Sequence, residues 1–537
     1  MKRLLSDCTL TALSTAGNDF FNLAQSFSYQ ANALGIALQQ HETIDSHALS
    51  FEFNTPKTSP IHCDISRFDD LNKQTPITEN IMQATCGLMS VHGRALGTPQ
   101  ALGINYLSTL TATLALQGVM AAALGQCRGL ELKNTHISMA AAGLLSTAQY
   151  LAGATADEGA ERLFPSCIKH PNSPPFVSAD GVIFELETLD AKPWQHFCAA
   201  LDLSSQLAGK SWTAFLQRYA KATSPVPNEI IEALARLEYA KILELAAQSK
   251  VAVCPVRTLA ERAKDKDTQL AWQQGAWQFI TGESTSLLNI TKPTELPLSG
   301  ITVLESCRRI QGPLAGHLLS LLGATVIRIE PPNGDPLRGM PPMADGVSAR
   351  FDALNRHKTV REIDIKSAAG QAEIKELARV ADVFIHNWAP NKATPLNLDY
   401  NHLHEVNPSL VYGYAAGWAT AGDVDEALNE RPGTDFMVQA FSGVAEKISK
   451  RSGKNGGSLF TVLDILGGVV AAQGITAALL KRELHPCSIR VTSSLLSAAT
   501  LLTTPDLSAI YQADNVIPTP SLVDGVYATE SGYIAVE

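Results

Sequence analysis

Two long uncharged stretches stand out in the pattern of hydrophobic and polar positions along the chain. Residues 101–124 and 466–480 contain no Asp, Glu, Lys or Arg. The first is longer than the roughly 20 residues that cross a bilayer, but Asn105, Gln117, three threonines and two glycines interrupt it. The second repeats its pattern. We therefore predict two helices buried in a protein core, with a membrane span as the alternative for the first.

The similarity extends beyond these helices and predicts an internal duplication. With an offset of 356 residues, 79–124 aligns without gaps on 435–480. After a shortening of five residues, 144–146 aligns on 495–497, both Leu-Leu-Ser. Chance similarity of two apolar helices is the alternative, but the matched Gly and Gln positions favour a repeat. The matched pairs include Gln83 with Gln439, Gly87 with Gly443 and Gln117 with Gln473.

The order of the patterns predicts two units and a linker. The first unit covers 1–290, with a helical pattern at 20–38, a strand at 49–53 and a core repeat at 79–187. Residues 291–297 form the linker, and the second unit covers 298–537. Strands and helices alternate in the second unit, which predicts an α/β protein with a Rossmann-like, mostly parallel sheet. The second unit stops inside a predicted strand, so either the chain is cut short or the first unit supplies the rest.

The composition is typical of a globular protein and narrows the classes of partner. A chain of 537 residues is long enough for two or more domains with their own cores. The formal net charge of −10 argues against a general nucleic-acid binder. Nine scattered cysteines without a Cys-x-x-Cys pair favour reduced thiols in the cytoplasm over disulfides or a zinc site. Asp7 interrupts the apolar run at the start, so a signal peptide is not predicted.

Asp464 stands at the start of the second uncharged helix, where a carboxylate can act in two ways. As an N-cap, it accepts backbone N–H groups and only stabilises the helix. As a nucleophile, it needs space for an approaching electrophile, and Gly467 and Gly468 leave such space. Spacing alone favours the N-cap.

The residues around Asp464 resemble those of a known family. Pro432-Gly433-Thr434-Asp435 is followed by Gln439-Ala440, Ser442-Gly443 and then Asp464 at the head of an apolar, Gly-rich helix. This pattern resembles that of the family III CoA-transferases, which include the formyl-CoA transferase and carnitine CoA-transferase types. In that family the second Asp is the nucleophile, and it matches Asp464. The resemblance implies interlocked Rossmann-like domains with a smaller α+β domain.

Further segments resemble the same family and imply a CoA site. The second unit carries the family's opening Gly-Pro turn at Gly312-Pro313, and 251–256 resembles its late Cys-Pro segment, so 188–275 is similar to the family's C-terminal part. Asp435 is implied to support the pocket near the thioester, with a turn residue as the alternative. Pro331 and Pro395 stand where the family has basic residues. The positions implied to line the CoA site are Arg308, Gln311, Asp364, Lys366, Asn387 and Trp388.

The resemblance also implies a reaction, in which an acyl-CoA passes its CoA to a small carboxylic acid. The CoA thioester is then a substrate, and no bound cofactor or metal is required. Asp464 would form a mixed anhydride and then an aspartyl-CoA thioester. One alternative is an α-methylacyl-CoA racemase, but the racemase pattern has a His where this chain has Thr434. The other alternative is a non-catalytic CoA-binding or assembly protein, which the degenerate first unit favours.

The first unit is expected to lack a working site of its own. Ser108 occupies the position equivalent to Asp464, and a serine without a neighbouring base in the sequence is a poor nucleophile. Family III enzymes are dimers of interlocked chains, so two related units imply an internal pseudo-dimer. We expect the two apolar helices to pack together and acyl transfer to occur only at Asp464, with no membrane or nucleic-acid partner.

Overall fold

Two sheets flank a pair of long helices in the computed structural model of the chain. One sheet belongs to the first unit, and the other is built mainly by the second. The α/β class predicted from the alternation of strands and helices is confirmed. The structure describes residues 3–16, 20–39, 44–46, 48–70, 77–156, 174–188, 190–284, 293–418, 433–453, 455–512 and 524–536.

The first unit opens with a mixed sheet of five strands. Its elements are β1 (Thr9–Ala12), β2 (Ser14–Ala16), α1 (Phe21–Leu34), β3 (Ala37–Gln39), β4 (Ile44–Ser46), β5 (Leu49–Asn54), β6 (Ile61–Ser66), α2 (Glu79–Thr85), α3 (Leu88–His92), α4 (Tyr106–Cys127), β7 (Asn134–Ser138) and α5 (Met139–Thr155). The strand order is β3-β1-β5-β6-β7. Side chains of β5 alternate between buried and half-buried, which confirms the strand predicted at 49–53.

A smaller α+β body follows in the chain. It consists of β8 (Phe176–Val177), β9 (Ile183–Glu187), α6 (Ala191–Ala200), α7 (Ser205–Lys221), α8 (Asn228–Ala235), α9 (Tyr239–Ser249) and β10 (Ala252–Pro255). The strands pair antiparallel in the order β10-β9-β8. Phe184, Trp194 and Phe197 lie in a hydrophobic cluster separate from the main core. This body agrees with the smaller α+β domain implied by the resemblance.

The second sheet has seven strands in the order β11-β19-β18-β17-β12-β13-β16. Every neighbouring pair is parallel except β11 with β19. β11 precedes the predicted linker, so the predicted boundary at residue 290 does not separate the two sheets. The elements are α10 (Leu259–Arg262), α11 (Lys266–Gln274), β11 (Trp277–Ser284), β12 (Thr302–Ser306), α12 (Gln311–Leu321), β13 (Thr325–Glu330), β14 (Met343–Ala344), β15 (Val347–Ser348), α13 (Ala349–Asn355), β16 (Thr359–Glu362), α14 (Ala368–Ala378), β17 (Val383–His386), α15 (Tyr400–His404), β18 (Val411–Ala416), α16 (Asp435–Ser442), α17 (Val444–Ser452), α18 (Val462–Leu484), β19 (Cys487–Ser494), α19 (Leu495–Leu502), α20 (Thr504–Gln512), β20 (Gly525–Thr529) and β21 (Gly532–Val536).

The two uncharged stretches form α4 and α18, which pack against each other in the centre. α1 lies on α4 as α12 lies on α18. Both central helices are long and apolar enough to cross a membrane, yet 89% and 100% of their most apolar windows are buried in the protein. The prediction of two core helices is confirmed, and so is their mutual packing.

The register of the repeat differs from the predicted one after the central helices. β7 ends at Ser138 and β19 at Ser494, positions that differ by 356 residues. Each serine caps the next helix, because Ser138 accepts the N–H of Ala141 and Ser494 accepts the N–H of Ser497. The shortening of five residues before 144 is therefore wrong, since the repeat continues in register into α5 and α19. The two Leu-Leu-Ser segments have the same sequence but do not occupy equivalent positions in the two units.

The two units are interlocked through their strands. α16 of the second unit contacts β9 of the first, while α2 of the first unit contacts β21 of the second. α2 and α16 are equivalent in the repeat, and the sequence places β9 and β21 at equivalent positions. Each unit therefore places a strand against the other, which is the arrangement expected of an internal pseudo-dimer.

Candidate active site

Asp464 is the third residue of α18 and is not its N-cap. The N-cap position belongs to Thr461. Asp464 is 8% exposed, and its carboxylate accepts no hydrogen bond from the part of the chain that the structure describes. The N-cap alternative is therefore wrong, because another carboxylate receives the N–H groups at this helix end. The side chain of Asp464 keeps its oxygens for another partner.

Asp435 is the carboxylate that holds the start of α18. Its Oδ2 accepts the backbone N–H groups of Leu463 and Asp464, each at 2.7 Å. The side-chain amide of Gln439 donates to its Oδ1. Asp435 is 0% exposed and is the first residue of α16, so the alternative of a turn residue is wrong. Its supporting role in the pocket near the thioester stays a prediction. Asp435 positions the backbone that carries Asp464.

The first unit repeats this arrangement with Glu79, which aligns with Asp435. Its Oε1 accepts the N–H of Leu107 at 2.8 Å, and its Oε2 accepts the N–H of Ser108 at 2.9 Å. The side-chain amide of Gln83 donates to Oε1 at 2.8 Å. The hydroxyl of Ser108 also donates to Oε2, at 2.7 Å. The same helix-holding device is present in both units, but in the first it also engages the residue at the nucleophile position.

The electrostatic surroundings of Asp464 come from both units. Burial raises the pKa of the Asp464 carboxyl, the positive charge of Arg309 opposes the rise, and the negative charge of Glu187 adds to it. Arg309 lies between β12 and α12 with a left-handed φ of 67°. Its guanidinium lies 5.3 Å from the ring centre of Tyr219 in α7. A cation therefore lies near the candidate nucleophile and favours its ionised form.

Glu187, at the end of β9, links the first unit to the start of α16. Its Oε2 accepts the hydroxyl of Tyr219 at 2.9 Å and the hydroxyl of Thr434 at 3.3 Å. Burial raises the pKa of Glu187, while the charges of Arg218 and Arg309 oppose the rise. The site around Asp464 is thus completed by a strand and a helix of the other unit.

The residues implied to bind CoA follow the carboxyl ends of β12, β16 and β17. Two hydrogen bonds join the loops after β12 and β17. Asn387 Oδ1 accepts the backbone N–H of Arg308 at 2.9 Å, and Asn387 Nδ2 donates to the backbone carbonyl of Arg308 at 2.8 Å. β12 lies between β17 and β13, so these loops flank the point where the strand order reverses. Ligands of open α/β sheets bind in such a crevice. The arrangement suits a nucleotide-like ligand.

The remaining implied positions on this edge differ in accessibility. Asp364 and Lys366 are exposed after β16, and Asp364 Oδ1 accepts the N–H of Lys366 at 3.0 Å. Trp388 is half-buried, with its ring 4.5 Å from that of His386. Its carbonyl accepts the hydroxyl of Tyr414 at 3.1 Å. These residues lie at the carboxyl ends of the parallel strands. Pro432, in the segment before Asp435, lies outside the described residues.

Gln311, Gly467 and Gly468 lie where α18 packs against neighbouring helices. Gln311 Nε2 donates to the carbonyl of Ala416 at 3.1 Å. A Cβ at Gly468 would lie 2.7 Å from the carbonyl oxygen of Gln311, and one at Gly467 would lie 2.8 Å from Leu495. The glycines therefore let α12 approach α18, which corrects the expectation that they leave room for an electrophile.

A cavity of about 200 Å³ lies beside this group of charges. Glu187, Tyr219 and Arg309 form part of its wall. The rest of the wall is mostly apolar and comes mainly from α7, the loop after β13, and α13. Its other polar members are Gln149, Thr188, Ser348 and Arg350. Apolar lining residues include Trp212, Phe215, Leu216, Leu337, Phe351 and Leu354.

Sequence reasoning missed three residues of the site. Glu187 and Tyr219 are remote from Asp464 in the sequence, and only the interlocking of the units brings them near. Arg309 had a signal, because it follows Arg308 in the turn after β12. The direction in which each of the two arginines points depends on the backbone conformation at Arg309, and its positive φ could not be predicted from the sequence.

Comparisons with known proteins agree with the duplication. The family model described as CoA-transferase family III matches residues 59–289 and again 298–537. The human succinyl-CoA:glutarate CoA-transferase is 31% identical over 227 residues, which cover 42% of this chain and 49% of that protein. The succinate–glutarate CoA-transferase of Agrobacterium fabrum is 35% identical over 192 residues, covering 34% and 47%.

A third relative and one solved structure extend these comparisons. The acetyl-CoA:oxalate CoA-transferase of Acetobacter aceti is 32% identical over 191 residues, covering 35% of this chain and 48% of that protein. The chain thus spans about half the length of the curated relatives it matches. A CAIB/BAIF family protein from Brucella suis has a solved structure with 27% identity and a TM-score of 0.40, covering 45% of this chain and 65% of that one.

Proposed function

The chain belongs to CoA-transferase family III, and we propose that it transfers coenzyme A from an acyl-CoA thioester to a carboxylic acid through Asp464. One observation carries the proposal. The carboxylate of Asp464 lies at the start of a buried helix, near the cation Arg309, while Asp435 receives the backbone N–H groups that would otherwise engage it. A structural aspartate at this position would itself be used as the cap.

The proposed reaction has three covalent intermediates on Asp464, namely an anhydride with the donor acid, a thioester with CoA and an anhydride with the acceptor acid. A carboxylate oxygen attacks the thioester carbonyl, the C–S bond breaks, and CoA thiolate leaves a mixed anhydride. The thiolate then attacks the aspartyl carbonyl and releases the donor acid, which leaves an aspartyl-CoA thioester. The acceptor carboxylate attacks this thioester and expels the thiolate. Finally the thiolate attacks the acceptor acyl carbonyl, which gives the new acyl-CoA and restores Asp464.

Arg309 supports the charged species of this sequence. Its positive charge favours the ionised form of Asp464, as the opposing influence on the pKa indicates. The N–H groups of Leu463 and Asp464 are already engaged by Asp435. Stabilisation of the developing oxyanion therefore falls to Arg309 and not to these amides. CoA would lie along the loops after β12 and β17, with its thioester directed toward Asp464.

The first unit acts in this proposal as the partner that completes one site. It supplies Glu187 and Tyr219, whose hydrogen bond at 2.9 Å fixes the wall beside Asp464. Its own equivalent position, Ser108, donates its hydroxyl to Glu79 at 2.7 Å. Burial raises the pKa of the Glu79 carboxyl, and the four hydrogen bonds that Glu79 accepts oppose the rise. We infer one working site for each chain.

The geometry disfavours a racemase. A racemase needs a second acid/base group to return a proton on the opposite face of the substrate. The position that the racemase pattern gives to His is Thr434, whose hydroxyl donates to Glu187 at 3.3 Å. Near neutral pH a hydroxyl is too weak an acid and too weak a base to take this role. The site therefore suits acyl transfer better than racemisation.

The test is to trap the acyl-enzyme and count it. The chain is incubated without acceptor with an acyl-CoA that is labelled in both its acyl and its CoA parts, quenched, and digested for mass spectrometry. We expect close to one label for each chain, on the peptide that carries Asp464. Asp464→Asn should abolish labelling and lower transfer by about 10³-fold or more, whereas the matched Ser108→Ala should retain both. Label on a first-unit peptide, or normal transfer by Asp464→Asn, would refute the proposal.

A further inference from the structure

A mostly apolar cavity lies beside Arg309 and Glu187, the two residues whose charges act on Asp464. It holds about 200 Å³ between the two units and touches both Glu187 and Arg309. α7 supplies Trp212, Phe215 and Leu216, and the opposite side supplies aliphatic and aromatic side chains of the second unit. Such a lining is typical of a pocket for an apolar ligand part, with a few polar groups at one end.

The charged groups of the cavity are engaged by the protein. Arg350 donates through Nη1 to the carbonyl of Tyr219 at 2.7 Å, and its guanidinium lies 4.5 Å from the ring centre of Tyr150. Arg309 is the cation whose charge acts on Asp464. Glu187 adds negative charge to the same wall. A second carboxylate on a substrate would therefore meet the negative charge of Glu187 or the apolar part of the wall.

Taking the proposed function as its basis, we propose that one of the two acids is an apolar monocarboxylic acid of about six to nine carbons, aromatic or straight-chain, as judged from a cavity of 150 Å³ that accepts benzene. Its carbonyl end lies at Arg309 and Asp464, and its hydrocarbon end fills the cavity between α7 and α13. The three relatives described above carry the names of succinate, glutarate, oxalate and acetyl-CoA, all short acids. The proposed acid is longer and more apolar than these.

Identity exchange is the sharpest test, because it needs one acid at a time. Each acyl-CoA is mixed with its own acid in isotopically labelled form, and label entering the acyl-CoA is measured. The series runs through acetate, butyrate, hexanoate, octanoate and 3-phenylpropionate, with succinate and glutarate beside it. We expect kcat/KM to rise about four-fold for each added methylene, which is about 0.8 kcal/mol of burial, and octanoate and 3-phenylpropionate to exceed both dicarboxylates.

A cavity variant with a matched control tests the location. Leu216 is 37% exposed and lines the cavity, so Leu216→Trp fills space without disturbing the core. This change should lower the octanoate-to-butyrate ratio of kcat/KM about ten-fold, equal to the loss of nearly two buried methylenes. Leu144, 49% exposed on α5 and not part of the cavity wall, is the control, and Leu144→Trp should keep the ratio.

The outcomes separate this inference from the proposed function. Exchange of succinate or glutarate that equals or exceeds that of octanoate refutes the inference while the transferase proposal stands. An unchanged ratio in Leu216→Trp refutes the cavity as the acyl site. Absence of exchange with every acid, together with an unlabelled Asp464 peptide, refutes both.

Discussion

Replacing Asp435 by asparagine tests whether this buried carboxylate positions the nucleophile. Oδ2 faces two backbone N–H donors at 2.7 Å, and Oδ1 faces the amide of Gln439. An asparagine can offer one oxygen to the two N–H groups, but its NH₂ then meets the NH₂ of Gln439. Gln439 cannot simply turn over, because its Oε1 accepts the N–H of Ser458 at 2.8 Å. The variant must therefore lose hydrogen bonds or move the start of α18.

The expected loss follows from those contacts. Exchanging two charge-assisted hydrogen bonds for neutral ones costs about 1 kcal/mol each, and the facing amide donors cost about 1–3 kcal/mol. Part of this loss of stability is offset, because the variant no longer buries two neighbouring carboxylates, Asp435 and Asp464. The free energy of unfolding should fall by about 2–3 kcal/mol. A shift of about 1 Å in the backbone of Asp464 should slow acyl-enzyme formation by about 10²-fold.

The assay compares Asp435→Asn with Glu79→Gln, its counterpart in the first unit. Both variants are measured for thermal midpoint and for the single-turnover rate of labelling from an acyl-CoA. The two should lose similar stability, because Glu79 accepts an equivalent set of N–H groups. Only Asp435→Asn should slow labelling. Burial and the negative charge of Asp464 raise the pKa of Asp435, while its hydrogen bonds with Gln439, Leu463 and Asp464 oppose the rise.

Two results would refute this reasoning. One is a labelling rate in Asp435→Asn close to the wild-type rate despite the loss of stability, since the carboxylate would then only hold the helix. The other is an equal slowing in Glu79→Gln, since the effect would then arise from general loosening of the central helix pair.

Other predictions follow from the same structure. Burial raises the pKa of Asp464 to about 7, so the labelling rate should rise with pH and level off above that value. Arg309→Met removes the opposing charge and should move this limb to higher pH, and Glu187→Gln should move it to lower pH. A limb that stays in place in both variants would show that these charges do not act on Asp464. Gly468→Ala should lower the thermal midpoint, because the new Cβ would lie 2.7 Å from a backbone oxygen of α12, at a cost of about 1–3 kcal/mol. Gly118→Ala is the control in α4, where no atom lies within 4 Å of the added Cβ, and it should be neutral or stabilising.

The repeat and the candidate nucleophile could be predicted from the sequence because both depend on local spacing. Two uncharged helices with matched Gln and Gly positions define the duplication, and Asp464 stands at a fixed place in that pattern. The cap at the start of α18 could not be predicted this way. A carboxylate near a helix start is as compatible with Asp464 as with Asp435, and only the folded chain shows which one reaches the N–H groups.

The rest of the site depends on contacts between distant parts of the chain. Glu187 reaches Thr434 because a strand of the first unit lies against α16 of the second. No periodicity in either segment encodes that contact. The misplaced shortening of the repeat has a similar cause, since matching Leu-Leu-Ser letters outweighed the capping roles of Ser138 and Ser494, which only the hydrogen bonds reveal.

The exchange of strands between the two units has a consequence for synthesis. α4 emerges from the ribosome roughly 350 residues before the helix that covers it, which corresponds to about 20–70 s at ordinary rates of translation. During that interval the face of α4 that packs against α18 has no intramolecular partner, although α1 already covers another face. We therefore expect the nascent first unit to expose apolar surface until the second unit is made. Because one catalytic centre is built from both units, the first unit cannot complete its packing until the second unit has been synthesised.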